Sequence, residues 1–148
     1  MAKNSKWKIK EAVKIAEKAG MLALQIGAKG ILAESKGEVP VLTGTLKRSG
    51  TVTIGGLPSS DSVYQASLPN EEGGSGIDHS NAFPNPIGKE KAVFISYSAP
   101  YAIIQHEELG YSHSSGGKAK FLEDPFNRNK KKVVKMVEEA IKKSPPRC

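Results

Sequence analysis

Between residues 5 and about 35 the chain carries one unbroken helical pattern, and any fold it adopts must accommodate a rod of that length. Lys6, Lys10, Lys14 and Lys18 recur at every fourth position, and Gln25, Lys29 and Lys36 roughly continue the ridge. That spacing stacks them on one solvated helix face. The other side holds Ile9, Ala12, Val13, Ala16, Ala19, Ala23 and Ile26. Along one edge Ala16, Gly20, Ala23, Gly27 and Gly30 alternate spacings of four and three, a seam of small side chains along which another backbone can come close. Interior glycines weaken a helix by roughly 1 kcal/mol each relative to alanine, so close contact has to offset them. The seam predicts either a helix lying on a sheet or a contact between subunits, with Gly20, Ala23 and Gly27 as candidate interface positions.

Val39-Pro40 ends the rod, because the residue before a proline is pushed out of the helical region. Thr43 or Thr45 then caps a short turn carrying Leu46, Lys47 and Arg48, with Gly44 permitting the bend. Thr51-Val52-Thr53-Ile54 alternates at period two and stops at Gly55-Gly56, a strand with Val52 and Ile54 facing the core. From residue 57 to about residue 90, scattered prolines and the run Glu71-Glu72-Gly73-Gly74-Ser75-Gly76 describe a long loop, with a short strand allowed at Val63 to Leu68. Ala92 to Tyr97 is the clearest strand, expected to be buried on both sides, and Pro100 ends it. Tyr101 to Leu109 is expected as a short helix with Tyr101, Ile104 and Leu109 facing inward. Tyr111 to Gly117 is polar and flexible, and Lys118 to Leu122 is a short strand. Asp124-Pro125 supplies a capping acid and a proline at the first helical position. Phe126, Val133, Val134, Val137, Ala140 and Ile141 then keep a helical stripe until Pro145-Pro146, with a frayed tail over residues 144–148. The expected architecture is α+β: a long N-terminal helix, a small and mostly antiparallel β-sheet, and a long C-terminal helix packed on the sheet, all in one domain spanning residues 1–148.

With 148 residues, 38% of them hydrophobic, there is material for one modest core. No run of about 18 apolar residues exists and the lysine-rich start lacks an apolar block, so neither a membrane span nor a secretory signal is expected. The expectation is a soluble chain made in the cytoplasm. Cys148 is the only cysteine, which excludes an internal disulfide and a multi-cysteine metal site. The net charge of +7 is unevenly spread. Residues 1–36 hold eight lysines against three acids and residues 128–143 seven basic residues against two acids, whereas residues 37–127 hold six basic and ten acidic residues. Basic ends flanking an acidic centre suit nucleic acid, or subunits whose acidic faces meet basic neighbours.

The chain carries few patterns of catalytic or metal-binding residues. His106-Glu107, with His113, invites a metal reading, since imidazole and carboxylate together hold zinc. Position 110, where a second histidine would share the helical face, is glycine. His79 sits in the Gly/Pro-rich stretch and reads as an exposed loop residue. No Gly-x-Ser-x-Gly elbow occurs, and Glu71 to Gly76 lacks the Lys-Ser/Thr that completes a phosphate loop. The acid pairs Glu71-Glu72, Glu107-Glu108 and Glu123-Asp124 are sequence neighbours, which point apart on a helix and make poor acid/base dyads. No catalytic residue, cofactor or metal is therefore assigned. Lys130, Lys131 and Lys132 are candidate DNA contacts through phosphate neutralisation, although no aromatic residue interleaves them as a stacking platform requires.

Three segments carry a family resemblance. Pro40-Val41-Leu42-Thr43-Gly44-Thr45-Leu46-Lys47-Arg48-Ser49 resembles the P-x-x-T-G-x-L-(R/K)-x-S signature of the minor capsid, neck or tail-completion proteins of long-tailed bacteriophages. Tyr97-Ser98-Ala99-Pro100-Tyr101-Ala102 followed by His106-Glu107 is similar to that family's Y-A-x-Y-x-x-x-x-(H/E) segment, and Lys118 to Pro125 to its lead-in to the last helix. The resemblance implies a structural virion protein without catalysis, in which Thr43, Gly44, Leu46, Pro100, Tyr101, Phe121, Leu122 and Pro125 are turn or core residues. It implies a homo-oligomeric ring, a hexamer or dodecamer, at the head-tail junction of the virion. Head-completion, tail-terminator or tail-tube proteins would be its neighbours, DNA would pass by, and no membrane would be involved. Ring contacts are expected between the acidic loop, Glu71, Glu72 and Asp78, and Lys130, Lys131 and Lys135 of a neighbour's terminal helix.

Overall fold

The computed structural model describes residues 2–41, 43–80, 86–87, 91–110 and 117–144, with side chains described from residue 8 onward and not at 60, 86 or 87. Leu42, His113, the Pro145-Pro146 stop, the tail to Cys148, most of residues 81–90 of the expected long loop and residues 111–116 of the expected flexible stretch lie outside the described residues.

The fold is α+β. Helix α1 (Ala2–Glu38) is followed by the short α2 (Thr45–Arg48), β1 (Gly50–Ile54), β2 (Leu57–Pro58), α3 (Ser60–Ser67), β3 (Pro86–Ile87), β4 (Val93–Tyr97), α4 (Ala102–Glu107) and α5 (Glu123–Lys143). Strands β1 and β4 pair antiparallel, with Val52 opposite Ile95 and Gly50 opposite Tyr97. A second antiparallel ladder joins the two-residue strands β2 and β3. Helix α1 lies against β1 and β4 on one side and α5 on another. Ala28 and Leu32 of α1 close over Val52, with Val93, Ile95 and Tyr97 around them. A second cluster gathers Val39, Leu46, Ala99, Ala102 and Phe121, with Tyr64, Tyr97 and Leu122 at its edge. Tyr97 belongs to both, so one side chain couples the sheet to the turn regions.

The small-residue seam is filled from within the chain. A Cβ on Gly27 would stand 2.7 Å from Val133 Cγ1, and one on Gly20 would stand 3.3 Å from Ile141 Cδ1. Ala23, between them, is buried. Helix α5 therefore runs antiparallel along α1 in the room that a subunit would otherwise take. Arg128 fastens the far end of this pair with ion pairs to Glu34, at 2.7 Å, and to Glu38. Gly30 faces open space.

Several local expectations are corrected. Lys36 is not on the solvated ridge but buried, because it follows Leu32 by one turn on the sheet-facing side. Ile9, Val13 and Ile26 are more than half exposed, since neither the sheet nor α5 covers them. Ile54 ends β1 in solvent, while Thr51 and Thr53 are buried beside Val52; the Thr53 hydroxyl is satisfied by donating to the Gly56 carbonyl at 2.6 Å. Strand β4 is only half-buried, because β1 is its one strand neighbour among the described residues.

Val63 to Leu68 is not a strand but most of α3, which buries Val63 and Ser67 one turn apart. Lys118 to Leu122 forms turns rather than a strand: Gly117 takes a left-handed φ of 86° where it crosses Pro40, and Lys120 has a φ of 58°. Tyr101, Ile104 and Leu109 face outward, because α4 has only six residues and buries Ala102 instead. Helix α5 starts at Glu123 without a side-chain cap, and Asp124 binds Lys118 at 2.9 Å instead of capping. Gly44, left-handed at φ 80°, occupies the cap of α2, while the Thr45 N–H leans on Thr43 Oγ1 at 3.4 Å.

The seam makes a paired prediction. Gly27→Leu should force α5 away from α1 and lower the unfolding free energy by about 1–3 kcal/mol, whereas Gly30→Ala should raise it by about 0.5–1 kcal/mol. Urea unfolding of both variants checks this; equal effects at the two positions would contradict it.

Candidate functional site

Two polar clusters stand where the chain crosses itself. The first surrounds the end of α1. Lys36 Nζ donates to Asp78 Oδ1 at 2.9 Å and to Ser80 Oγ at 2.7 Å, and the Ser80 N–H donates to the same carboxylate oxygen at 2.8 Å. Gly50 makes room for this, since a Cβ there would meet Tyr97 Cε1 at 2.6 Å and Lys36 Cε at 2.8 Å. One residue earlier in α1, Ser35 shares a hydrogen bond of 2.7 Å with the Tyr97 hydroxyl. Burial pushes Lys36 down from the ordinary lysine value, with Asp78 opposing. Partial burial alone would raise the Asp78 carboxyl, but hydrogen bonds from Ser80 and Lys36 outweigh it and bring the pKa to about 2. Asp78 thus pairs with Lys36 of its own subunit while its side chain stays 55% exposed.

His79, expected as an exposed loop residue, is 7% exposed and neither ring nitrogen completes a hydrogen bond among the described residues. Its backbone N–H donates to the Arg48 carbonyl at 3.1 Å, which pulls the segment inward, and Arg48 in turn donates from Nε to the Ser67 carbonyl. Burial first, and then the Lys36 ammonium, lower its pKa; Asp78 and the Val63 backbone oppose them without prevailing.

The second cluster joins α4 to the start of α5. His106 donates from Nδ1 to Glu107 Oε1 at 2.6 Å and accepts at Nε2 from the Glu123 N–H at 3.2 Å, the tautomer with the proton on Nδ1. Glu123, absent from the sequence-based metal reading, comes beside the other two, and ligand atoms of His106, Glu107 and Glu123 lie within 4.8 Å of one another. The Lys120 ammonium already bridges the carboxylates, 2.6 Å from Glu107 and 2.9 Å from Glu123, so a cation stands where a metal ion would. Hydrogen bonds from Lys120 and His106 hold the Glu107 carboxyl below its ordinary value. Beneath the cluster Phe121 is 1% exposed, with edge-on ring contacts to Tyr97 at 5.2 Å and His106 at 5.0 Å. Lys120, left-handed at φ 58°, donates its N–H to the His106 carbonyl at 2.8 Å while its ammonium holds the two carboxylates. The geometry makes a clasp between two helices.

The remaining predicted positions divide clearly. Leu46, Phe121 and Pro125 are buried, Leu122 is half-buried, and Thr43, Pro100 and Tyr101 are on the surface. Burial raises the Tyr101 hydroxyl above its ordinary value. Glu71 and Glu72 are exposed at a turn, and Lys130, Lys131, Lys132 and Lys135 are exposed on α5. The structure brings none of these acids to these lysines within the subunit. The sequence reading missed Lys36 and Glu123. The period that buries Leu32, Ser35 and Val39 signals Lys36, but no local pattern signals Glu123, which meets His106 only through the turn at Lys120. No described helix is long and apolar enough to cross a membrane. Comparison with models of known protein families, with curated proteins and with solved structures finds no match.

His79 sets a pH dependence. Its folded pKa lies below the ordinary 6.5, so the unfolded chain takes up the proton first, and stability present above pH 6.5 is lost as pH falls through the lower folded value. Asp78 adds a separate loss, present above its ordinary 3.8 and surrendered as pH falls towards about 2. Unfolding free energies measured on either side of pH 6.5 should decrease on the acid side, and His79→Leu should flatten that decrease. The same slope in both proteins would contradict the assignment.

Proposed function

We propose that the protein is a non-catalytic assembly subunit, a virion part that forms a ring at the head-tail junction of a long-tailed bacteriophage. The observation that carries the reading is the convergence of three motif segments far apart in sequence. Leu46 from the first, Ala99 and Ala102 from the second and Phe121 from the third share one buried cluster. Residues that the resemblance treats as scaffold are thus spent on holding the subunit together. In the clasp the titratable side chains are likewise engaged: both nitrogens of His106 and the Lys120 ammonium have partners. Ile103 and Leu109 stand about three-quarters exposed around α4, a surface suited to burial in an assembly.

Removing the gene from a phage that carries it should leave DNA-filled heads and finished tails that do not join, seen by electron microscopy. Normal infectious particles would refute the reading. A second reading, non-specific contact with passing DNA, is favoured by the exposure of Lys130, Lys131 and Lys132 on α5. It predicts salt-sensitive retention of duplex DNA, abolished when all three become glutamate. Absence of binding by the unmodified protein at physiological salt would remove it.

A further inference from the structure

Helix α1 outruns its partner. With Ile141 against Gly20 and α5 ending at Lys143, the residues of α1 ahead of about position 17 extend beyond the end of α5. The overhang of residues 2–17 is more than four turns, about 24 Å at about 1.5 Å per residue. Ile9, Val13 and Ala16 prolong the very face on which Gly20, Ala23 and Gly27 receive α5, because the helical repeat keeps spacings of three and four in line. Where α5 stops, that face opens: Ile9 is 62% and Val13 51% exposed. Lys8, Lys10 and Lys14 stand around it, all exposed.

A surface of complementary character lies around α3 and α4. Ile103, 75% exposed, stands between two cavities. One, about 420 Å³, is lined by Leu57, Pro58, Tyr64 and the carboxylate-bearing Asp61; the other, about 180 Å³, is lined by Tyr97, Phe121 and Glu107. Glu108 is exposed beside it. Residues 2–17 hold five lysines against Glu11 and Glu17, so two overhangs repel each other by net charge, and the outer face of α5 is rich in lysine as well.

We infer that the α1 overhang of one copy docks on the α3/α4 surface of a second copy, Ile9 and Val13 straddling Ile103 and the lysines facing Asp61 and Glu108. This rests on the reading of the protein as an assembly subunit. The contact is heterologous, joining two different faces, so it repeats from copy to copy and closes into a ring when the rotation permits. It differs from contacts through the acidic loop at Glu71 and Glu72.

Sedimentation velocity of full-length protein over a concentration series tests it, with circular dichroism as the check on folding. Ile9→Asp with Val13→Asp spoils one face and Ile103→Asp the other; each variant alone should sediment as a monomer. Mixed in equal amounts they should form a dimer and nothing larger, because one intact face of each kind remains. If the aspartates disturb folding, Lys10→Glu with Lys14→Glu should give the same loss, and Asp61→Lys with Glu108→Lys in the partner copy should restore the dimer. Dispersal by the α1 changes alone, or a mixture that stays monomeric, overturns the inference. Variants that oligomerise like the unmodified protein also overturn it while leaving the assembly reading intact. An unmodified protein that is monomeric at every concentration overturns both.

Discussion

The close approach of α1 and α5 governs the rest of the structure. It exists because Gly20 and Gly27 present no side chain to Ile141 and Val133, so two backbones come together and α1 becomes a wall shared by α5 and the sheet. A two-stranded sheet is marginal by itself. Here β1 and β4 gain a backing in Ala28 and Leu32, and α1 is held rigid from behind by a helix of 21 residues. The glycines, which weaken an isolated helix, therefore stabilise the molecule by what they let in.

Polar contacts then fix how the chain returns to this wall. Lys36 carries its charge into a nearly closed site and meets Asp78, which folds the segment after α3 against the end of α1. A buried lysine costs free energy unless paired and hydrogen-bonded, and Asp78 and Ser80 meet both requirements. At the opposite crossing, Gly117 passes so near Val39 and Pro40 that a Cβ would stand 2.5 Å from the Pro40 nitrogen. The Lys118 N–H reaches the Glu38 carbonyl at 2.9 Å, and Lys120 locks His106, Glu107 and Glu123. Both devices tie loops to the C-terminal third of α1. Among the described residues its N-terminal part has only a surface pair between Glu17 and Lys91.

What the sequence disclosed follows from the range of the forces concerned. Long periodic segments were legible: the rod, the seam and the amphipathic last helix all act through neighbours three and four residues apart. The strand at Val52 was legible by its alternation and the one at Ile95 by its dense apolar residues. Val63 to Leu68 was misread because the eight residues of α3 carry too few repeats to separate a helix from a strand, and burial of Val63 and Ser67 decided the matter. Lys36 was placed in solvent because its own spacing matched the lysine ridge; only the sheet, a distant part of the chain, reveals which side of α1 is covered. Phe121 and Leu122 were marked as turn or core residues only through the resemblance, whereas the meeting of Glu123 with His106 depends on a left-handed Lys120 that no residue preference announces.

The central claim is that α1 is one helix with two regimes, a clamped C-terminal part and a free N-terminal overhang. Native-state hydrogen exchange, read by mass spectrometry on the isolated subunit, tests it most directly. Amides of residues 20–38 and of α5 should exchange together, through one cooperative opening, while those of residues 8–16 exchange faster through local fraying. Uniform protection along all of α1, or an α5 that exchanges independently of residues 20–38, would contradict it.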